Sequence, residues 1–158
     1  MNTMRKQLEA LMRLCTAEQE SERQAAKAQV LEMLKDCRQE ADPESAVRSI
    51  LLDLGAPDHL LGHAYMVEAL LMCLEDRMYI NNITFGLYPQ IAARFDTTAA
   101  RVERALRHLI EVTWERSDMD ALRKYFGNTI RVDKGKPTNG EFLARITNVV
   151  HQQLKTSA

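Results

Sequence analysis

The sequence predicts an all-α protein: a six-helix domain containing a helix-turn-helix, preceded by one or two N-terminal helices. Three observations predict it. Apolar residues recur at intervals of three and four in successive segments, the spacing that lines one face of an α-helix. Of 158 residues only 4 are Pro and 6 are Gly, and aromatics make up 6%, a composition poor in the turn and aromatic residues that sheets use. Helix start and stop signals fall between the apolar stripes.

Residues 1–42 read as a helical extension. Met4, Leu8, Leu11 and Cys15 give one narrow stripe, and Ala26, Val30, Met33, Leu34 and Cys37 give another. A polar stretch from Glu18 to Gln24 separates them, and Thr16 with Gln19 three residues on has the capping-box spacing, so one helix or two fit equally. Each stripe suits a partner interface, and each equally suits docking on the chain's own core.

The domain at 43–158 begins where Asp42 caps and Pro43 opens a helix. Ala46, Val47, Ile50, Leu51 and Leu54 form its inward face, Gly55 suits its end, and Pro57 prevents continuation. Asp58 is expected to cap a long helix running to about Tyr79, with Leu61, Met66, Ala69, Leu70, Cys73 and Leu74 inward. Asn81-Asn82 ends it. After the central motif, Ser117 and Asp118 start a short helix bearing Met119, Leu122 and Phe126, stopped by Gly127. Residues 128–137 read as a basic loop. Thr138 caps a last helix carrying Phe142, Leu143, Ile146, Val149 and Val150.

The stretch from Tyr88 to His108 is the most informative. Pro89 suits a first helical turn, where its missing N–H costs nothing. Ile91, Ala92 and Phe95 share a face, with Ala92 small where two helices cross. Asp96 tolerates a left-handed turn, and Thr97 or Thr98 can cap a second helix through its hydroxyl. In that second helix Val102, Leu106, Leu109, Ile110 and Thr113 point inward, and Arg101, Arg104, Arg107, His108 and Glu111 fall mostly on the opposite side. This is a helix-turn-helix layout, whose second helix enters the DNA major groove. Arginine there can grip guanine with two hydrogen bonds, and Glu103 can accept from cytosine N4.

The formal net charge is −1, which does not by itself mark a nucleic-acid binder. The distribution is more telling. Residues 44–93 hold 2 basic and 6 acidic residues, a net of −4, and residues 94–145 hold 11 basic and 8 acidic, a net of +3. The motif lies in the positive part, as an electrostatic footprint requires. The 3 cysteines are widely spaced with no CxxC, which fits a reduced compartment and thiols used as small apolar residues. No signal peptide or membrane-spanning run is legible, so a soluble, cytoplasmic protein is expected. His59 and His63 stand at metal-ligand spacing but lack a third ligand. No triad order or nucleotide-binding glycine loop occurs, and the adjacent carboxylates Glu75-Asp76 point to different sides of a helix end and read as a solvated terminus. No enzyme activity, cofactor or metal is expected.

From about Val47 to Val150 the chain resembles the C-terminal DNA-binding effector domain of the stage-zero sporulation response regulator. Three blocks carry the likeness: Gly55-Ala-Pro-Asp-His59 with Gly62; Leu87-Tyr-Pro through Thr97-Thr-Ala, Arg101-Val-Glu-Arg-Ala105, Arg107-His108, Ile110-Glu-Val112 and Trp114; and Lys136-Pro-Thr-Asn139 with Glu141-Phe142. The resemblance implies a six-helix domain that binds short double-stranded DNA boxes as a homodimer and touches RNA polymerase sigma factor. It implies that Arg101, Glu103 and Arg104 read bases and that His59, Arg107, His108 and Lys136 contact the DNA backbone. Ala100 departs from the small hydroxyl residue expected there, which removes one phosphate contact. The family normally carries an α/β receiver domain, and the 42 residues in front are too few and too helical for one. The N-terminal helices are therefore expected to dimerise the chain or to dock another protein in its place. The alternative expectation is a receiver-less paralogue acting as a protein-interaction module that titrates another regulator or a sigma factor.

Overall fold

The computed structural model describes Met12, Glu20–Arg38, 42–127 and 135–157. The first apolar stripe, the Thr16–Gln19 capping signal, the side chains of Met33, Leu34 and Cys37, and most of the basic loop lie outside the described residues. Helix α1 spans Glu20–Arg38. Residues 42–156 form a separate compact unit, entirely helical among the described residues.

Helix α2 (Pro43–Asp53) starts as its sequence dictates, with the Asp42 carboxylate accepting from the Ser45 amide at 3.2 Å and Pro43 in the first turn. It ends in a Schellman turn. Gly55 has φ +71°, and the Ala56 and Gly55 amides donate back to the Leu51 and Leu52 carbonyls, both at 2.9 Å. These bonds satisfy carbonyls that the helix end would otherwise orphan.

Helix α3 covers only Leu61–Glu75. The expected Asp58 cap is absent: the residue before the helix is Leu60, without a side-chain cap bond, and residues 58–60 form a turn closed by Leu60 N–H to Pro57 carbonyl at 3.4 Å. Leu61, expected inward, is 64% exposed. The expected run to Tyr79 breaks at Asp76, which is extended (φ −137°, ψ 110°). Its carboxylate accepts from the Met78 amide at 2.9 Å, a local bond that competes with the helical ladder and starts a new turn. The one-turn α4 (Met78–Asn81) and a π-helical turn at Ile83–Leu87 come next.

Helices α5 (Tyr88–Arg94) and α6 (Ala99–Arg116) form the helix-turn-helix. The turn is a second Schellman ending with Asp96 in the glycine position at φ +50°, closed by Thr97 N–H to Ala92 carbonyl at 2.9 Å. The Thr98 hydroxyl caps α6, accepting from the Arg101 amide at 3.3 Å. Asp118 caps α7 (Met119–Phe126) through the Ala121 amide at 2.7 Å. Helix α8 (Asn139–Ser157) opens with a reciprocal capping box. The Thr138 hydroxyl accepts from the Glu141 amide at 3.2 Å, and the Glu141 carboxylate accepts from the Thr138 amide at 2.9 Å.

One hydrophobic core joins these helices. Helix α3 runs through it and is apolar on nearly every side: Tyr65, Met66, Val67, Ala69, Leu70, Met72 and Cys73 are all buried. Burial pushes the Cys73 thiol up to about 11, as suits a cysteine acting as a small apolar residue. Helix α3 meets α6 at Gly62, where an added Cβ would lie 2.3 Å from the Ala105 carbonyl oxygen. At the far end Asp53 accepts from Lys124 at 2.6 Å and from the Tyr125 hydroxyl, linking α2 to α7. The Lys124 ammonium and then the Tyr125 hydroxyl hold its carboxyl below the usual range.

Candidate nucleic-acid interface

Helix α6 presents two faces of opposite chemistry. Val102, Leu106, Leu109, Ile110 and Thr113 are buried, the five residues its periodicity predicts. Arg101, Arg104, Arg107 and His108 are exposed, and Glu103 is half-buried. Successive helical residues turn by about 100°, so Arg101, Arg104 and His108 share the outward ridge while Glu103 and Arg107 sit toward one edge. The helix is held by its own cap, by the Asp96 turn and by α3 beneath it. Arg94, at the end of α5, pairs with Glu68 of α3, which fixes the first motif helix to the same support.

Three of the predicted site residues, Glu103, Arg107 and Lys136, have partners within the protein. Arg107 donates to Glu103 at 2.7 Å, an i, i+4 pair. Lys136 donates to Glu115 near the end of α6 at 2.8 Å. The bond to Glu115 raises the Lys136 ammonium above its ordinary value, and Lys136 in turn lowers Glu115. Both pairs are largely exposed. Exposed pairs of this kind are weak, so a phosphate or base edge can exchange with either partner at little cost.

Shallow grooves flank α6. One, of about 420 Å³, lies between the Glu103–Arg107–Glu111 edge and the turn at Lys136–Gly140. The other, of about 440 Å³, is lined by Arg48, His59, His63 and Arg116 at the C-terminal end of α6. Lys136 and His59 thus line different grooves, although Lys136 reaches Glu115 and the His59 groove is bordered by Arg116, both near the C-terminal end of the helix. His59 is exposed in the turn before α3 rather than on the helix itself. His63, one turn on, is buried, and that burial, reinforced by Arg48, holds its imidazole below the ordinary value. Among the described residues no group of three or more His, Cys, Asp and Glu is placed to hold a metal ion, and no helix is long and apolar enough to cross a membrane.

One residue of this region has a role that its sequence position does not announce. Asn139, the first residue of α8, is 8% exposed. Its amide donates to the Tyr88 hydroxyl at 2.9 Å and to the Glu103 backbone carbonyl at 3.1 Å. The Thr138–Glu141 capping box marks Asn139 as a helix start, but no local spacing places it beside the motif.

An all-α domain whose capped, arginine-bearing second motif helix is supported from beneath by a buried helix has the layout of a helix-turn-helix domain. Residues 47–150 match the family model described as sporulation initiation factor Spo0A C terminal. The chain belongs to that family, and 47–150 is its DNA-binding regulatory domain.

Proposed function

We propose that this chain is a sequence-specific transcription regulator that reads double-stranded DNA with α6. Arg101, Glu103 and Arg104 read base edges; His59, Arg107, His108 and Lys136 position the phosphates. The observation that carries this reading is the division of α6 into five buried apolar positions and an outward ridge of Arg101, Arg104 and His108. The two grooves support it: with α6 in a major groove, Lys136 and His59 are offered to backbone on either side of the reading helix. Selection from a random DNA pool is expected to return fragments sharing a short box. No enrichment, with no binding at low salt and a stable complex with another regulator, overturns the proposal in favour of an interaction module.

Lys136→Ala is expected to weaken binding to all sequences alike and to reduce the salt slope by about one unit, the signature of a lost phosphate contact. Removal of Lys136 also leaves the Glu115 carboxylate uncompensated beside the DNA, which acts in the same direction. Shift assays over a salt series on specific and scrambled fragments measure it.

Residues 1–42, in this reading, dimerise the protein on DNA, in a cytoplasmic regulator that touches RNA polymerase sigma factor. The apolar stripes along the extension support dimerisation. Mass determination of the full chain and of residues 43–158 is expected to give a dimer for the first and a monomer for the second. Monomeric masses for both exclude the dimer.

A further inference from the structure

Asn139 belongs to none of the groups proposed to touch DNA, yet it joins three elements at the head of the reading helix. Its Nδ2 carries two hydrogens and both are used. One goes to the hydroxyl of Tyr88, the first residue of α5, and the other to the backbone carbonyl of Glu103 in α6. Tyr88 is 4% exposed, and burial raises its hydroxyl above the ordinary value. The bond to Tyr88 is therefore shielded and the bond to Glu103 partly so, and an unmatched donor or acceptor costs most where water is excluded.

The neighbouring sequence makes the contact more than a local tie. Three residues before Asn139, Lys136 reaches Glu115. Twelve residues separate Glu103 from Glu115, about 18 Å of helix at about 1.5 Å per residue. The turn from Lys136 to Asn139 thus runs along the edge of α6 and is fastened near both ends. The two fastenings differ in strength. The Lys136 pair is exposed and exchangeable, whereas of the Asn139 bonds the one to Tyr88 is buried and the one to the Glu103 carbonyl is part-buried and engages backbone. The backbone carbonyl that Asn139 holds lies between the side chains proposed to read bases.

We infer that Asn139 is a positioning residue for sequence recognition: its side-chain amide fixes the rotation and tilt of α6 against α5 and α8, and so the aim of Arg101 and Arg104. The inference rests on α6 being the base-reading helix. Orientation matters for base edges, because a bidentate arginine–guanine contact is directional, and matters little for phosphates, which a long cation finds from many angles.

The test is the ratio of specific to non-specific DNA affinity in the full chain. Asn139→Asp is nearly isosteric but presents a carboxylate to the Glu103 carbonyl and donates nothing. It is expected to lower the ratio about tenfold while binding to scrambled DNA at low salt stays within about twofold, a tenfold change being about 1.4 kcal/mol. Tyr88→Phe keeps the Glu103 bond and removes one acceptor, so it is expected to lower the ratio in the same direction by a smaller factor. If Asn139→Asp fails to fold, as judged by circular dichroism and a thermal melt, Tyr88→Phe decides alone. Folded variants with an unchanged ratio overturn the inference, and so does an equal loss on both DNAs, which is what mere destabilisation gives. Arg104→Ala measured alongside separates the two levels. If it leaves preference unchanged, the reading-helix proposal fails; if it shifts preference while the Asn139 and Tyr88 variants do not, only the positioning inference fails.

Discussion

Gly62→Ala is expected to destabilise the domain by about 3 kcal/mol, the upper end of ordinary overpacking costs. The reason is the identity of the obstacle. The new Cβ would lie 2.3 Å from the Ala105 carbonyl oxygen, 2.9 Å from its carbon and 3.2 Å from Leu109 Cβ. Two of those atoms are helix backbone and cannot rotate aside, so α3 and α6 must separate. Separation along that line loosens the core beneath α6. Against a total stability on the order of 5–15 kcal/mol, the loss is large. Urea titration is the measurement, with the midpoint falling and the slope retained. Gly55→Ala is the control: nothing lies within 4 Å of its Cβ, and the cost is about 1–2 kcal/mol from the left-handed backbone alone. Equal costs at the two positions would show that α3 and α6 do not approach so closely.

Arg104→Ala is expected to lose about 1–3 kcal/mol at one position of the recognised box and to relax preference there, leaving other positions unchanged. Arg104 is exposed on the ridge opposite Val102 and Leu106, so its loss leaves the core intact and the effect is confined to DNA. A panel of boxes varied one base at a time measures it. An undiminished preference at every position would place the reading helix elsewhere. The contrast with Lys136→Ala is the useful one. The same assay should show a single-position change for Arg104 and a uniform, salt-linked change for Lys136.

Much of this architecture is legible in the sequence because the signals are local. The Asp42-Pro43 start, the Gly55 end, the Thr98 cap and the five inward positions of α6 each depend on residues within a turn or two of one another. The failures are also local, but they turn on competition. Asp76 reads as an ordinary polar helix residue until its carboxylate is seen on the Met78 amide, and Asp58 has cap chemistry where the chain instead turns before Leu61. The outward ridge of α6 is legible as a row of residues; its internal couplings are not. Lys136 with Glu115 and Asn139 with Glu103 join residues 21 and 36 apart in sequence, a separation at which spacing carries no information.

The burial of α3 on nearly all sides has a consequence for how the domain comes apart. A helix with a polar face can survive the loss of one neighbour by turning that face to water. Helix α3 has little such face, since Met66, Ala69, Leu70 and Cys73 are fully enclosed and Tyr65, Val67 and Met72 nearly so. Removing any packed helix from it exposes apolar surface at once, so partial openings are costly and the surrounding helices lose their support together. Amide hydrogens from Met66 to Cys73 therefore exchange with solvent only when the whole domain unfolds, and their protection reports its global stability.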